Sequence, residues 1–223
     1  SMIPGLLRLL NLEQENLVYI AETCGGGFGS KGGPYPTMAI PALLSQQTGR
    51  PVMLRITRAE EYGLGTARPG FQGRLKMGFR ADGRLLATDL SIINENGPHT
   101  GWTDNDSAAD SISLLYQPMA MRYRGIPVET NTPPRGPQRG PGQNQIAQAI
   151  EPLLNKAATE LGIDQLTIRR INAADNDATI GANQGPLTSA YQDETLVQGA
   201  ELFNWEERSA RSGQRNGSKV IGI

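Results

Sequence analysis

Two segments carry residue types and spacings that can do chemistry. The first is Cys24-Gly25-Gly26-Gly27-Phe28-Gly29-Ser30-Lys31, with four glycines in five positions before a serine and a lysine. Glycine lets the backbone come close to a ligand, and consecutive N–H groups near a helix start favour an anion. Neither common nucleotide pattern is met. G-x-G-x-x-G begun at Gly25 reaches Ser30 at its third glycine, and the Walker pattern needs glycine where Ser30 precedes Lys31. A turn that merely needs positive φ would use the same glycines. The second segment is NTPPRGPQRGPG, residues 131–142, in which Arg135 and Arg139 sit among prolines and glycines ahead of Gln143-Asn144-Gln145. Prolines stiffen such a loop in advance, so its guanidinium and amide donors are held ready for a planar anion. A solvated arginine pair over a helix start is the alternative.

Other reactive residue types are sparse. The chain has one cysteine, Cys24, and one histidine, His99, which excludes a disulfide framework, a Cys-ligated zinc or iron–sulfur site and a His cluster. A redox metal would have to arrive inside an organic cofactor. Cys24 alone beside a glycine loop is read as a small apolar filler, and His99 as a surface residue. Asp104, Asp106 and Asp110 lack the glycine and terminal glutamate of a calcium loop and are read as a solvated turn. The sequons at Asn105 and Asn216 are read as chance matches. With 21 Lys+Arg against 22 Asp+Glu there is no basic surface for a nucleic acid. No apolar run approaches the roughly 18–20 residues of a membrane span.

The elements that must position these loops follow from periodicity. Among 223 residues, 27 Gly and 15 Pro make up about a fifth, so turns are plentiful. Leu6 to Leu10 fit the end of an amphipathic helix, residues 17–21 a strand, 37–48 a helix closed by Gly49, and 51–58 (PVMLRITR) a strand. Residues 73–80 and 85–94 alternate in hydrophobicity around Asp82-Gly83, a primed-turn dipeptide, and read as a hairpin. Residues 96–110 read as a surface loop, 122–130 as a strand and 131–142 as a fixed irregular loop. A helix is expected over 145–161 with a kink or break at Pro152, a second over 164–172 capped by Asp164, and a third over 188–203. Residues 205–223 read as a polar tail or linker.

The order strand, GGGFGSK, helix, hairpin, then RGPGQNQ and a long helix resembles the molybdenum-binding subunit of the xanthine dehydrogenase and aldehyde oxidase family of molybdenum hydroxylases. The family motifs are GGGFGGK and a later R-G-F-G-x-P-Q type loop, and the likeness runs from LNLEQENLVYIAETCGGGFGSK to ERSARSG. It implies that Gly26, Gly27, Phe28 and Gly29, with Arg139, Gly140 and Gln145, line a molybdenum–pterin cofactor, either molybdopterin or molybdopterin cytosine dinucleotide. It also implies that Arg122, Gly32 and Pro141 face the substrate. Gly32 stands where purine-oxidising members carry glutamate, and Pro141 where many carry an aromatic residue, so the substrate pocket is altered.

The implied chemistry is oxidative hydroxylation of an aldehyde or N-heterocycle, with 2Fe-2S clusters and FAD on partner subunits or domains. The family's general-base glutamate lies in a Gly-Glu motif that these residues lack, so it is expected outside this chain. No residue here is assigned as catalytic and none as a metal ligand. The expectation is an α+β fold of mixed or antiparallel strands, with residues 1–223 forming part of a cofactor-binding domain in a larger cytoplasmic subunit and inactive alone. The alternatives are a non-catalytic module that binds a small anion, and a structural piece that binds nothing.

Overall fold

The computed structural model describes residues 2–33, 36–99, 102–181 and 183–223. The chain divides into two compact units. One comprises Ser1–Gln72, Ile93–Asp104 and Ile126–Pro141; the other comprises Gly73–Ile92, Asn105–Gly125 and Gly142–Ile223. A three-stranded sheet has the order β1 (Phe71–Phe79), β2 (Leu85–Glu95), β3 (Ala120–Val128), and the division falls within each of its strands. The fold is α+β, as the sequence implies, and no helix among the described residues is long and apolar enough to cross a membrane.

In the first unit α1 (Met2–Leu10) packs on α2 (Pro36–Thr48), burying Leu6, Leu10 and Ala39. Both helices stop where a residue takes the left-handed conformation, Asn11 at φ 52° and Gly49 at φ 66°. The strands expected at 17–21 and 51–58 are not formed. Both stretches lack a ladder, and a short helix, α3 (Arg58–Leu64), begins inside the second. Its start is a capping box: Thr57 Oγ1 accepts from Glu60 N, while the Glu60 carboxylate accepts from Thr57 N at 2.7 Å. The T-x-x-E signature is present in the sequence and outweighs the strand periodicity there. The stretch read as a surface loop is also corrected: Asn96 and Asp104 are buried.

β2 and β3 run in the same direction here, since Asn96 N donates to Val128 O and Thr130 N to Gly97 O. The chain between them is a crossover through α4 (Asn105–Leu115), whose first half lies in the stretch expected as a surface loop. Asn105 is buried at its start, so that sequon is closed to glycosylation.

The second unit packs α4 on α5 (Gln143–Leu161), α5 on α6 (Gln165–Asn172), and α6 on α7 (Gln192–Phe203). Ile112, Ile150, Leu154 and Ile168 are fully buried in this core. Pro152 does not break α5, which stays helical over 19 residues; the buried Ile150 and Leu154 on either side hold its register against the missing N–H. Asp164 caps α6 as expected, accepting from Leu166 N and Thr167 N. α7 starts at Gln192, later than the expected 188.

The β1–β2 hairpin is formed, with a different turn. Arg80 N donates to Arg84 O and Gly83 N to Arg80 O, and Gly83 at φ 89° has positive φ where Asp82 does not. That is a three-residue loop with a glycine bulge rather than a primed two-residue turn. Arg80 and the Arg84 N–H hold the Asp82 carboxyl down at about 2. The polar tail is also corrected. It contains α8 (Trp205–Ala210) and a hairpin of β6 (Arg215–Asn216) with β7 (Lys219–Val220), turned by Gly217 at φ 63°. A further short hairpin pairs β4 (Thr179–Ile180) with β5 (Gly185–Pro186).

The fully buried Asn172 pins the first hairpin to α6. Its Oδ1 accepts from Leu85 N at 2.8 Å, and its Nδ2 donates to Gly83 O at 2.9 Å and Ile168 O at 2.8 Å. Asn172→Ala strands two buried backbone groups, Leu85 N and Gly83 O, and should cost about 2 kcal/mol, read as a lower urea midpoint with unchanged slope.

Candidate functional site

The two glycine- and proline-rich loops meet within the first unit. Phe28 O accepts from Arg139 N at 2.6 Å. Phe28 itself adopts φ 51°, uncommon for an aromatic residue, which turns its carbonyl to that partner and leaves its ring 65% exposed. Gly29 follows at φ 103°, and a Cβ there would lie 2.8 Å from Pro137 O. A Cβ at Gly26 would lie 2.8 Å from the Phe28 ring. Gly29 is thus required by close approach and by its positive φ, whereas a Cβ at Gly26 would only displace the Phe28 ring. Lys31 N donates to Gly27 O and Gly32 N to Gly29 O, closing residues 27–32 into a turn. Because α2 starts only at Pro36, these amides are spent in that turn and do not form a helix N-terminus. Lys31 is drawn back to α3 by Glu61, 2.5 Å away, and pairing with Lys31 lowers the Glu61 pKa.

The arginine loop is built on a carboxylate that the sequence reading missed. Glu95 Oε1 accepts from Thr132 Oγ1 at 2.6 Å, from Arg135 Nη2 at 2.8 Å and from Thr130 Oγ1 at 3.3 Å. Together the Thr132 hydroxyl and the Arg135 guanidinium hold the Glu95 carboxyl below the usual glutamate range. The Arg135 side chain is only 15% exposed, so it is a structural cation rather than a ligand for a solute. Residues 66–68 form a second support, also missed. Ala67 N donates to Pro134 O and Gly136 N to Ala67 O, in a parallel bridge. Arg68 donates to Arg139 O at 2.6 Å and Gly140 O at 3.0 Å. Thr66 links both loops, accepting at its carbonyl from Gln138 and donating its hydroxyl to Ser30 O. The only sequence signal for this support is an isolated Arg68 before Pro69-Gly70.

Of the residues singled out in the sequence, Gly26, Gly27, Phe28, Gly29, Gly32, Arg139, Gly140 and Pro141 lie in this unit, and the loop-to-loop hydrogen bond joins the two groups. Arg139 exposes its side chain while its backbone is held at both ends of the peptide. Gln145, in the first turn of α5, and Arg122, on β3, belong to the other unit. Arg122 is engaged there by Asp89 through Nε at 3.0 Å and Nη2 at 2.5 Å.

Cys24 is exposed, which corrects its reading as an apolar filler. His99 is exposed as expected. The three aspartates diverge: Asp104 is buried and accepts from Trp102 Nε1, whereas burial and the neighbouring Asp106 push the Asp110 carboxyl up. Among the described residues no three His, Cys, Asp or Glu side chains gather to hold a metal.

Residues 5–173 match the model of the molybdopterin cofactor-binding domain. The chain belongs to that family. It is 32% identical over 236 residues to the putative xanthine dehydrogenase molybdenum-binding subunit XdhA of Escherichia coli K12, covering all of this chain and 31% of that one. It is 29% identical over 226 residues to the aldehyde oxidoreductase molybdenum-binding subunit PaoC of the same organism, covering 97% of this chain and 29% of that one. The aldehyde oxidoreductase of Desulfovibrio gigas superposes with a TM-score of 0.79 at 27% identity, over 90% of this chain and 22% of its own. The chain therefore spans about a third or less of the length of these relatives.

Removing the Glu95 carboxylate should loosen the arginine loop. Glu95→Gln is expected to lower stability by about 2 kcal/mol at pH 7, because Arg135 stays largely buried without its anion. Since the folded Glu95 pKa is depressed, its stabilisation is complete above the unfolded value of about 4.3 and is lost as the pH falls through the folded value. Urea unfolding from pH 7 to 3 should show this acid loss in the parent chain and a smaller one in the variant.

Proposed function

We propose that this chain builds part of the cofactor site in a molybdenum hydroxylase subunit of the xanthine dehydrogenase and aldehyde oxidoreductase type. The observation that carries the reading is the Phe28–Arg139 hydrogen bond, which joins the two loops the family resemblance assigns to the cofactor. The donor set fits such a group. A pterin that carries the molybdenum asks the protein for contacts to the organic ligand and for no metal-ligating side chains. Backbone free of side chains, an exposed aromatic ring and an exposed guanidinium suit a planar anionic pterin. A Cβ at Gly25 or Gly33 would meet nothing within 4 Å, so the loop surface is open to a ligand.

In this reading Gly26, Gly27, Phe28 and Gly29 bring backbone close to the cofactor, and Arg139, Gly140 and Gln145 supply further contacts. Arg68 fixes the Arg139 and Gly140 carbonyls, so these residues are held before the ligand arrives, which lowers the ordering cost of binding. Arg122, Gly32 and Pro141 border the substrate side, and the glycine at 32 favours a substrate other than a purine. When bound, the cofactor supplies a two-electron oxidation that hydroxylates an aldehyde or N-heterocycle with oxygen from water. The base that assists is a glutamate outside these residues. The domain takes in all of residues 1–223. The working enzyme is cytoplasmic, and it passes electrons through 2Fe-2S clusters to FAD on partner subunits or domains.

The test is to purify the native protein that contains this chain and measure molybdenum by mass spectrometry and pterin by the fluorescence of its oxidised form. About one of each per chain is expected. Gly29→Ala, which forces a Cβ against Pro137 O, should reduce both by about tenfold or more, equivalent to about 1.4 kcal/mol. Absence of pterin, together with a melting temperature raised by inorganic phosphate, would replace this reading with a small-anion module.

A further inference from the structure

The chain carries Asn-Gly at two places, Asn96-Gly97 and Asn216-Gly217. An asparagine carboxamide is most open to attack by the next backbone nitrogen when glycine follows, because no Cβ crowds that nitrogen and the backbone turns freely. The attack needs a carboxamide that can swing onto the N–H, an N–H without a hydrogen bond, and water. The fold grants these to one pair and denies them to the other.

Asn96 is 1% exposed. Its Nδ2 donates to Trp102 O at 2.6 Å and its Oδ1 accepts from Asn94. Its backbone is held as well, with N donating to Val128 O and the carbonyl accepting from Arg135 N. A Cβ at Gly97 would lie 2.5 Å from Pro133 O, so that peptide has no room to rotate.

Asn216 ends β6, opposite Lys219 of β7, and residues 211–220 are all exposed. Among the described residues its carboxamide takes no hydrogen bond, and neither does the Gly217 N–H. Gly217 has φ 63°, and a Cβ there would meet nothing within 4 Å. The flanking Arg215 and Lys219 carry positive charge, which favours the deprotonated amide nitrogen that attacks.

We infer that Asn216 is a site of spontaneous deamidation and that the fold protects Asn96 from the same reaction. Gly217 N bonds to Asn216 Cγ as the Cγ–Nδ2 bond breaks, and ammonia leaves with the proton of the Gly217 amide. Water then opens the cyclic imide, its hydroxyl going to one carbonyl carbon and its hydrogen to the nitrogen. Opening at Cγ gives aspartate, and opening at the backbone carbonyl gives isoaspartate; nothing is oxidised or reduced. Either product adds a negative charge to a chain whose formal net charge is −1. Isoaspartate also lengthens the main chain by a methylene, so the pairings Asn216↔Lys219 and Arg215↔Val220 lose their register.

Peptide mapping by mass spectrometry tests it. The native protein that contains this chain is held for days at neutral and at mildly alkaline pH and then digested. Asn216 is expected to convert to a mixture of aspartate and isoaspartate, faster at the higher pH. It should react at least about tenfold faster than Asn96, the factor set by an opening free energy of about 1.4 kcal/mol at the buried pair. Asn216→Gln, whose longer side chain closes a larger ring slowly, should stay intact over the same time with an unchanged melting temperature. Hydrogen exchange of amides 215–220 should quicken with age in the parent protein and hold steady in that variant. An Asn216 that stays amidated in the native protein, while the same protein unfolded in urea deamidates there, would overturn the inference. So would equal rates at Asn96 and Asn216, which would mean that burial and hydrogen bonding do not select the site.

Discussion

Everything in the candidate site hangs on the carboxylate of Glu95, at the end of β2. Two threonine hydroxyls and the Arg135 guanidinium converge on a single oxygen of it, so the proline-rich loop is tied at its start to a strand of the sheet. A buried cation without a matching anion would be expensive, and a loop of this length without internal hydrogen bonds would otherwise sample many conformations. The pair removes that freedom at Arg135. Arg68 then removes it four residues later, by taking the two carbonyls around Arg139. Between these fixed points the loop has one way to meet Phe28.

That meeting depends on backbone shape as much as on charge. Phe28 tolerates a left-handed conformation because its carbonyl gains the Arg139 N–H, and Gly29 follows in a conformation that no other residue adopts cheaply. The ring of Phe28 rests on the bare Cα of Gly26. A loop written almost wholly in glycine is therefore ordered by its neighbours, and its own sequence supplies only permission. The lysine at its end is engaged by Glu61 of a capped short helix.

The second unit is organised by the same logic around a different set of polar groups. Tyr116 donates to Glu151 at 2.7 Å, and Arg169 engages the other oxygen of that carboxylate along with Asn155. Burial and the Glu151 charge push the Tyr116 hydroxyl far above its ordinary range, so it stays a neutral donor at all physiological pH. Such satisfied networks specify how α4, α5 and α6 align, where leucine and isoleucine contacts alone would tolerate sliding. The first unit has a thinner apolar core of Leu6, Leu10 and Ala39.

Local signals in the chain are enough to specify the helices with strong apolar stripes, the β1–β2 hairpin and the two loops. Those signals are a 3.6-residue period over 145–161, Asp164 as a cap, Asp-Gly between alternating runs, and proline or glycine where regular structure is barred. Composition also excludes a Cys-ligated cluster and a His-cluster metal site, since there is one residue of each type. Folding in three dimensions settles the rest: that Glu95, Thr66 and Arg68 hold the site, that Arg135 is part-buried while Arg139 is exposed, and that the apolar stretches at 17–21 and 51–57 form no ladder here. Those outcomes rest on partners dozens of positions away, such as Glu95 with Arg135 and Arg68 with Gly140. A strand's periodicity likewise says that it can pair and is silent about whether a partner is within reach.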